Sequence, residues 1–333
     1  MNNLVSVIVP SFNNETHTAA TLGSIIAQDY ENLEIIFVND ASTDNTLAIA
    51  ENTLKNSGRV FKIINHEKNR GESAARNSGL DASNGNYICF CDGDDLLKEN
   101  YISLLASKIK ENDCEISFCG MIDRFEDGRS DVYWPVKIKG TKIINGDEAL
   151  RLSPRQTIAP SVCCMMFKKN FIIEKRLRFS EGCTACEDKE FQLEAFCRAK
   201  KISFTTECLY IYVHSQEMGS VRDANTAEKK LRRYVHATEA LERAAEYLSH
   251  HAPSERVKLW AENYLMPEVI IRRFTIAARM SDYEKYKSLC RDKNLRAVLK
   301  RSRKIIFSYP EIFFKAFAIL YMPKLYYLIR RKN

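Results

Sequence analysis

Short apolar segments rich in β-branched residues alternate with helix-like segments through the first hundred residues. Between the apolar segments, hydrophobic residues recur at helical spacing, as they do from Glu15 to Gln28. This repeat predicts an α/β fold with a doubly wound, mostly parallel sheet, in which ligands bind at the carboxyl ends of the strands. The segments with the length and composition of buried strands are 4–9, 33–38, 60–64 and 87–91.

The strand–helix alternation loosens after residue 105. The segments 115–120 and 161–167 have strand composition, and 188–199 has helical spacing. The polar, turn-rich stretch 123–140 predicts a flexible loop over the ligand site. We therefore expect these segments to extend the sheet beyond its four central strands.

Helical spacing of apolar residues dominates from Thr226 to the end of the chain. With 333 residues, the chain is long enough for one large domain with an appendage or for two domains. We predict an α/β domain over 1–222 and a helical C-terminal region over 223–333, with the boundary near Asp223.

The end of the chain mixes basic residues with large apolar ones, in a protein of net charge +7. No nucleic-acid-binding motif accompanies these residues, so the pattern favours peripheral contact with an anionic membrane over contact with nucleic acid. The alternatives are a solvated basic face, or a helix packed on the protein or on a second subunit. Prolines and charges interrupt the apolar stretch 305–329, which predicts no membrane span because a span needs about 20 unbroken apolar residues. The basic residues are Arg301, Arg303, Lys304, Lys315, Lys324, Arg330, Arg331 and Lys332.

The chain contains eleven cysteines, an odd number without the spacing of a disulfide framework. It opens almost directly on an apolar strand, without the basic segment and cleavage site of a signal peptide. These features indicate a reducing compartment and predict a cytoplasmic location. Cys183 and Cys186 have the spacing of half a zinc site, but no second pair follows, so we do not predict bound zinc.

Asp92, Gly93 and Asp94 directly follow the fourth predicted strand. Two carboxylates one residue apart can bind a hard divalent cation that also holds diphosphate oxygens, and the glycine between them allows close approach of the backbone to a ligand. Asp40 follows the second predicted strand in the same way, which predicts a ligand site at that edge of the sheet. The alternative is an ordinary surface turn, because turns favour the same residue types.

Four segments resemble, in order and spacing, the motifs of family 2 glycosyltransferases of the GT-A fold. They cover the first hundred residues densely, and the resemblance continues more thinly to about Ser220. The resemblance implies a Rossmann-like GT-A domain that transfers a sugar from a nucleotide-sugar donor in the biosynthesis of bacterial cell-surface polysaccharide. The segments are VIVPSFN (7–13), VNDASTD (38–44), NRGESAARN (69–77) and DGDD (92–95).

The resemblance also implies how a UDP-sugar donor is held. Asp40 is similar to the family aspartate that accepts a hydrogen bond from uracil. Asp94 is similar to the main protein ligand of Mn²⁺ or Mg²⁺, and Asp92 to a ligand of ribose or of the metal. Alternatives are a core position for Phe12 and a helix-surface position for Arg76. The other donor-binding positions that the resemblance implies are Pro10, Phe12, Asn69, Arg76 and Gly93.

Glu187 and Asp188 resemble the acidic pair that contains the catalytic base of inverting family members. Asp188 would remove the proton of the acceptor hydroxyl, with Glu187 in support. Thr184 and Glu187 also match a capping box, which is the structural alternative. His214 resembles a histidine that completes the metal site in some relatives. Because the spacing to Ser220 is longer than usual, a loop histidine without metal is the alternative.

The chain lacks the motifs of several other enzyme classes. No glycine-rich loop follows the first strand, which excludes a typical nucleotidyltransferase or dinucleotide-dependent oxidoreductase. Neither Trp134 nor Trp260 stands in the Gln-x-x-Arg-Trp motif of processive polysaccharide synthases, so transfer of a single sugar to a glycan or lipid-linked glycan is predicted. The alternative is a degenerate relative that binds nucleotide sugars or a partner without turnover.

Overall fold

The computed structural model describes residues 3–127, 129–138, 143–152, 161–214 and 227–332. The chain divides into two compact units, 1–224 and 225–333. The predicted boundary near Asp223 and the segment 219–221, which entered the family resemblance, lie outside the described residues.

The described part of the first unit contains one ten-stranded mixed sheet, in the order β3-β2-β1-β4-β9-β6-β10-β5, with β7 paired to β6 and β8 to β10. Its strands are β1 (Val5–Ser11), β2 (Leu33–Asn39), β3 (Val60–Asn65), β4 (Tyr87–Phe90), β5 (Leu96–Leu97), β6 (Ile116–Phe125), β7 (Val132–Trp134), β8 (Ile143–Ile144), β9 (Met165–Lys168) and β10 (Ile202–His214). Its helices are α1 (Thr18–Ile26), α2 (Thr46–Lys55), α3 (Glu72–Ala82), α4 (Tyr101–Asn112), α5 (Gly146–Leu152), α6 (Lys169–Glu174) and α7 (Glu187–Arg198).

β1 and β2 form the centre of the parallel half of the sheet. All seven residues of each strand are buried, which explains their near-continuous apolar runs. β1 pairs in parallel with β2 on one side and with β4 on the other, and β3 pairs in parallel with β2. The predicted doubly wound, mostly parallel α/β fold is confirmed.

The predicted loop over 123–140 is wrong in its first part, because β6 continues to Phe125. β7 pairs with β6 in antiparallel orientation, and Trp134 Nε1 donates a hydrogen bond of 2.7 Å to Asp123 Oδ2. The cross-strand pairing of β-branched and aromatic residues thus extends a strand through a polar stretch that resembled a loop.

The strand predicted over 161–167 begins only at Met165, because residues 162–164 form a 3₁₀ turn. This strand, β9, runs antiparallel to both of its neighbours, β4 and β6. It therefore divides the sheet into one parallel half that carries the acidic run and a second half built around β6 and β10.

The second unit consists, in its described part, of helices joined by short turns. Its core surrounds α10 and includes Ile271, Phe274, Tyr286 and Ile319, each less than 5% exposed. The predicted helical C-terminal region is confirmed. Its helices are α8 (Ala227–His251), α9 (Glu255–Trp260), α10 (Met266–Arg279), α11 (Tyr283–Arg291), α12 (Lys293–Arg301), α13 (Pro310–Tyr321) and α14 (Pro323–Lys332).

Candidate active site

The carboxyl ends of β1, β2 and β4 meet at one edge of the sheet. β1 ends at Ser11, β2 ends at Asn39, and the acidic run follows β4 directly. Because β1 lies between β2 and β4 and is parallel to both, the residues after these strands are brought together. Asp40 and Asp92 therefore lie at the same edge, as the sequence predicts.

Arg76 is the centre of a buried ionic cluster at this edge. Its side chain is only 3% exposed, so a position on the helix surface is excluded. Its Nη2 donates to Asp92 Oδ1 at 2.8 Å and to Glu72 Oε1 at 2.5 Å, and its Nη1 donates to Glu187 Oε1 at 3.3 Å. Burial by itself disfavours both charges, yet the carboxylates raise the pKa of Arg76 and Arg76 lowers the pKa of Asp92.

Several buried polar atoms in and beside this cluster have no hydrogen-bond partner within the described residues. They belong to Ser11 (Oγ), Ser73 (Oγ), Arg76 (Nε) and Glu187 (Oε2). Buried polar groups are nearly always hydrogen-bonded in folded proteins. Four such atoms at one edge are the arrangement expected where a polar ligand binds.

Asp94 experiences an environment that opposes its negative charge. Burial, followed by repulsion from Asp92, raises the pKa of Asp94 to about 6, and His17 acts in the opposite direction. A divalent cation would relieve the repulsion between the two carboxylates, whose oxygens are suitable ligands for Mn²⁺ or Mg²⁺. The residues at this position therefore fit the predicted metal.

Asp95, the last residue of the acidic run, has a different role. It is completely buried, accepts a hydrogen bond from the hydroxyl group of Tyr210, and accepts another from the backbone N–H of Val213 at 2.9 Å. Burial raises the pKa of this carboxyl group. Asp95 thus fastens the acidic turn to β10.

Gly93 is required by close packing against the protein itself. A Cβ atom at this position would lie 2.8 Å from Ser11 Oγ, 2.9 Å from Asn14 Nδ2 and 2.9 Å from the carbonyl oxygen of Pro10. The glycine therefore lets the acidic turn approach the segment after β1. The sequence predicts a glycine here for close approach to a ligand, and packing against Ser11, Asn14 and Pro10 is a second reason.

Asp40 organises the loop between β3 and α3. Its carboxylate accepts hydrogen bonds from the backbone N–H groups of Arg70 (2.9 Å) and Gly71 (2.7 Å), and it contacts His66 Nδ1 at 2.6 Å. Gly71 has a φ of 85°, a backbone conformation that favours glycine. Asp40 is thus a buried anchor at the predicted position of the nucleobase.

The other predicted donor-binding residues near Asp40 differ in exposure. Pro10 is buried within β1, whereas the ring of Phe12 is 40% exposed just after that strand. Asn69 is exposed in the loop that Asp40 holds. The exposure of Phe12 excludes the core position that the sequence left open and leaves an aromatic face available at this edge.

Asp188 lies in the first turn of α7, half-buried, where its Oδ1 accepts the backbone N–H of Lys189 at 2.7 Å. The capping-box alternative is wrong, because α7 begins at Glu187 and its N-cap residue is Cys186 rather than Thr184. Glu187 instead points to Arg76. The ionic cluster therefore connects the acidic run to the residue next to the predicted base.

His214 ends β10, where its Nε2 lies 3.3 Å from Asp123 Oδ1 and its ring stacks on Phe125. Across the described ranges, no three His, Cys, Asp or Glu side chains are grouped so that they could hold a metal ion. A cation at Asp92 and Asp94 would therefore complete its shell with oxygens of a ligand or water. Participation of His214 stays a prediction.

Three residues near the acidic run were missed in the sequence. Glu72 is four residues before Arg76, a spacing typical of helical ion pairs, and this signal could have identified it. Cys163 contacts Asp92 Oδ1 through its Sγ at 3.4 Å, and His17 lies near Asp94. No local pattern marks these two, because only the topology brings them to the site.

Comparison with known proteins identifies relatives of this arrangement. The chain is 32% identical over 212 residues to the uncharacterized glycosyltransferase EpsJ of Bacillus subtilis, an alignment that spans 63% of this chain and 60% of that protein. It is 36% identical over 107 residues to the GalNAc(5)-diNAcBac-PP-undecaprenol beta-1,3-glucosyltransferase of Campylobacter jejuni, covering 32% of this chain and 35% of the relative.

A solved structure and a family profile agree with these relatives. The fold is similar to that of S. aureus TarS 1–349 in complex with UDP-GlcNAc, with a TM-score of 0.58, 21% identity, and coverage of 86% of this chain and 90% of the other. The sequence profile described as glycosyl transferase family 2 matches residues 6–174, a little over half of the chain and all of the edge that carries Asp40, Arg76 and Asp92. The chain belongs to glycosyl transferase family 2.

Proposed function

We propose that this protein is an inverting, metal-dependent glycosyltransferase that moves one hexosyl or N-acetylhexosaminyl group from a UDP-sugar to a glycan or lipid-linked glycan during cell-surface polysaccharide biosynthesis. The main support is the carboxylate pair Asp92 and Asp94 at the carboxyl edge of the sheet, beside the buried Arg76. Family membership supports glycosyl transfer. The first unit would carry catalysis, and the second would dock the enzyme to a membrane.

The donor would lie along the ends of β1, β2 and β4. Asp40, at the end of β2, would recognise a uracil edge, with the exposed ring of Phe12 along the base and Pro10 and Asn69 nearby. A fold shared with a TarS structure that holds UDP-GlcNAc supports a uridine nucleotide. In this position the diphosphate would lie beside Asp92 and Asp94.

Asp92 and Asp94 would hold the Mn²⁺ or Mg²⁺ ion between the protein and the diphosphate. Burial, and then repulsion from Asp92, raises the pKa of Asp94 to about 6, and a bound cation would counter this repulsion. Such an ion supplies neutralisation of the negative charge that develops on the departing UDP. Arg76 would keep Asp92 ionised and oriented, because it lowers the pKa of that carboxyl group.

Asp188 would act as the base in a single displacement. As it removes the proton of the acceptor hydroxyl, the hydroxyl oxygen bonds to the anomeric carbon, and the bond from that carbon to the UDP oxygen breaks with its electron pair. Attack on the face opposite UDP inverts the anomeric configuration. The position of Asp188 at the start of α7, next to an Arg76-bound Glu187, supports this role.

The acceptor and the location are inferred from the relatives and from the cysteines. A lipid-linked acceptor agrees with the name of the Campylobacter jejuni relative. All eleven cysteines are free, which agrees with the cytoplasm and a position at the inner face of the cell membrane.

A donor screen tests the proposal. UDP and GDP release would be measured across a panel of nucleotide sugars with Mn²⁺, with Mg²⁺ and with EDTA, using the wild type, Asp94→Asn and Asp188→Asn. We expect UDP-sugar turnover that EDTA abolishes, and losses of about 100-fold or more in both variants. Asp188→Asn should still bind UDP in calorimetry. Asp113→Asn is the matched control, because that carboxylate is 84% exposed and pairs with Lys168, which lies beside the first residue of β4, away from the carboxyl edge.

Three results would contradict specific parts of the proposal. Full activity in EDTA would remove the metal, and full activity of Asp188→Asn would assign the base to another residue. UDP binding without turnover of any donor, in the presence of varied acceptors, would favour the degenerate binding relative.

A further inference from the structure

The outer surface of α13 and α14 exposes a continuous series of large apolar side chains. On α13, Phe314 and Tyr321 are more than 60% exposed and Phe317 is 42% exposed. The rings form a ladder, with centroids 6.1 Å apart for Phe313 and Phe317 and 4.7 Å apart for Phe317 and Tyr321. The series continues through Met322, Leu325, Leu328 and Ile329, each at least 45% exposed.

α13 is apolar on both of its sides. Ile312, Ala316 and Ile319 face inward and belong to the core of the second unit. The outward side carries the aromatic ladder instead of the polar residues that a surface helix normally presents. Glu311 and Lys315 are the only charged residues of α13. An exposed apolar series of this size is typical of a surface that contacts a membrane or another protein.

The charge around this face identifies the occupant. Residues 300–332 contain nine Lys and Arg residues and a single acid, Glu311, which gives a net charge of +8. Since the whole chain carries +7, all other residues together carry −1. Lys304, Lys324 and Arg331 are exposed, and the guanidinium of Arg330 lies 5.5 Å from the ring centre of Tyr326. A second copy of the chain would bring +8 against +8, whereas anionic lipid is complementary.

The geometry favours insertion in the plane of one leaflet. Within the described part of the chain, no single helix is long and apolar enough to cross a membrane, although Pro310–Tyr321 and Pro323–Arg331 meet the length and composition criteria as a pair bent by 114°. The inward side of α13 is committed to the protein core. Aromatic rings beside Lys and Arg are the composition of interfacial helices, whose apolar face reaches about 5–10 Å into the membrane.

We propose that α13 and α14 form a membrane hairpin, in which Phe314, Phe317, Tyr321, Leu325 and Leu328 insert into one leaflet of an anionic membrane while the surrounding cations contact lipid headgroups. This inference rests on the membrane docking proposed above and names the residues that would carry it. Binding of this kind depends both on apolar side chains and on lipid charge, because neither contribution alone provides stable attachment.

Vesicle flotation with the full chain tests the hairpin. The wild type is expected to float with phosphatidylcholine vesicles that contain 30 mol% phosphatidylglycerol, and to bind pure phosphatidylcholine at least about 10-fold more weakly. The triple variant Phe314→Ser/Phe317→Ser/Leu328→Ser should lose at least about 10-fold in partitioning. The double variant Lys324→Glu/Arg331→Glu should lose affinity for anionic vesicles and the salt dependence of binding.

The matched control removes exposed apolar residues from the first unit. Val60→Ser/Ile173→Ser changes side chains that are 66% and 59% exposed, and it should float like the wild type. Circular dichroism would verify that each variant is folded. Equal flotation of the triple variant and the wild type, or absence of wild-type flotation on anionic vesicles, would overturn the proposal, and the latter result would favour an acidic protein partner.

The outcome is independent of the proposed chemistry. UDP release toward a water-soluble acceptor should be unchanged in the triple variant, because none of its three residues belongs to the first unit. A protein that floats without sugar transfer would refute the enzymatic proposal alone. A protein that transfers sugar without floating would refute the hairpin alone.

Discussion

The two units of this protein differ in which residues depart from the usual burial pattern: the first unit buries charged side chains, and the second exposes apolar ones. The first unit buries charge at the carboxyl edge of its sheet, where Arg76 meets Glu72, Asp92 and Glu187. The second unit has an apolar and aromatic core, and its unusual feature is the series of exposed aromatic rings on α13. Each departs from ordinary burial at the place where we infer that it meets another molecule.

This difference shows what kind of ligand each unit fits. Carboxylates that repel each other at this edge fit a small cation, which can in turn bind the anionic diphosphate of a donor. Exposed apolar side chains among cations fit an extended surface that is apolar below and anionic above. Buried charged side chains thus indicate a donor site, whereas exposed apolar side chains indicate a docking surface.

The largest expected effect comes from removing the cation at the centre of the buried cluster. Arg76→Met should lower the free energy of unfolding by about 3–5 kcal/mol and abolish sugar transfer, because it leaves the buried Glu187 and the partly exposed Asp92 and Glu72 without their cation. Urea denaturation and UDP release would measure the two effects. Arg178→Met is the control, since Arg178 is 52% exposed and its pair with Asp81 should contribute less than about 1 kcal/mol.

A small change in the free energy of unfolding of Arg76→Met would contradict the role given to buried charge in the first unit. If the free energies of unfolding of the variant and the wild type differ by less than about 1 kcal/mol, Arg76 does not stabilise the buried carboxylate of Glu187.

The second effect concerns the pH dependence that Asp94 gives to the metal-free protein. Its pKa is about 6 in the folded state against an ordinary value of 3.8, so between these pH values the folded state binds a proton that the unfolded state has lost. Stability from this group is therefore lost as the pH rises from about 4 to about 6, by about 2–3 kcal/mol in total.

Asp94→Asn removes this titration and should make the protein inactive but more stable. In EDTA, we expect the variant to exceed the wild type by about 2 kcal/mol at pH 7.5 and to equal it near pH 4, as measured by urea denaturation. Asp113→Asn should show no such gain in stability at pH 7.5. A wild type whose stability relative to Asp94→Asn does not vary with pH would show that Asp94 carries no electrostatic cost.

The sequence predicts the centre of the sheet well, and the reason is local. Segments such as 33–38 are apolar and β-branched throughout, and the acidic run follows one of them without a gap. The position of Asp92 at the end of β4 therefore follows from periodicity and turn residues alone. The same applies to Asp40 at the end of β2.

The partners of these residues could not be predicted in the same way. Arg76 and Glu187 are 111 residues apart, and Asp95 and Tyr210 are 115 apart, so only the completed topology brings each pair together. The sequence therefore could not assign Asp95 to anchoring. The pairing of β7 with β6 does not follow from the sequence, because the stretch is polar and its backbone ladder and Trp134–Asp123 hydrogen bond form only when the two strands meet.

The smallest effect tests whether the first unit also holds backbone strain at its site. Ala41 directly follows Asp40 and has a φ of 61°, in the left-handed region that costs an alanine about 1–2 kcal/mol. Ala41→Gly relieves this strain but increases the freedom of the unfolded chain, so a net gain of about 0.5–1 kcal/mol is expected. Ala50→Gly, inside α2, should instead lose about 1 kcal/mol or more. If both substitutions destabilise the protein in urea denaturation, the conformation after Asp40 is unstrained, and buried charge alone distinguishes this edge from the exterior of the second unit.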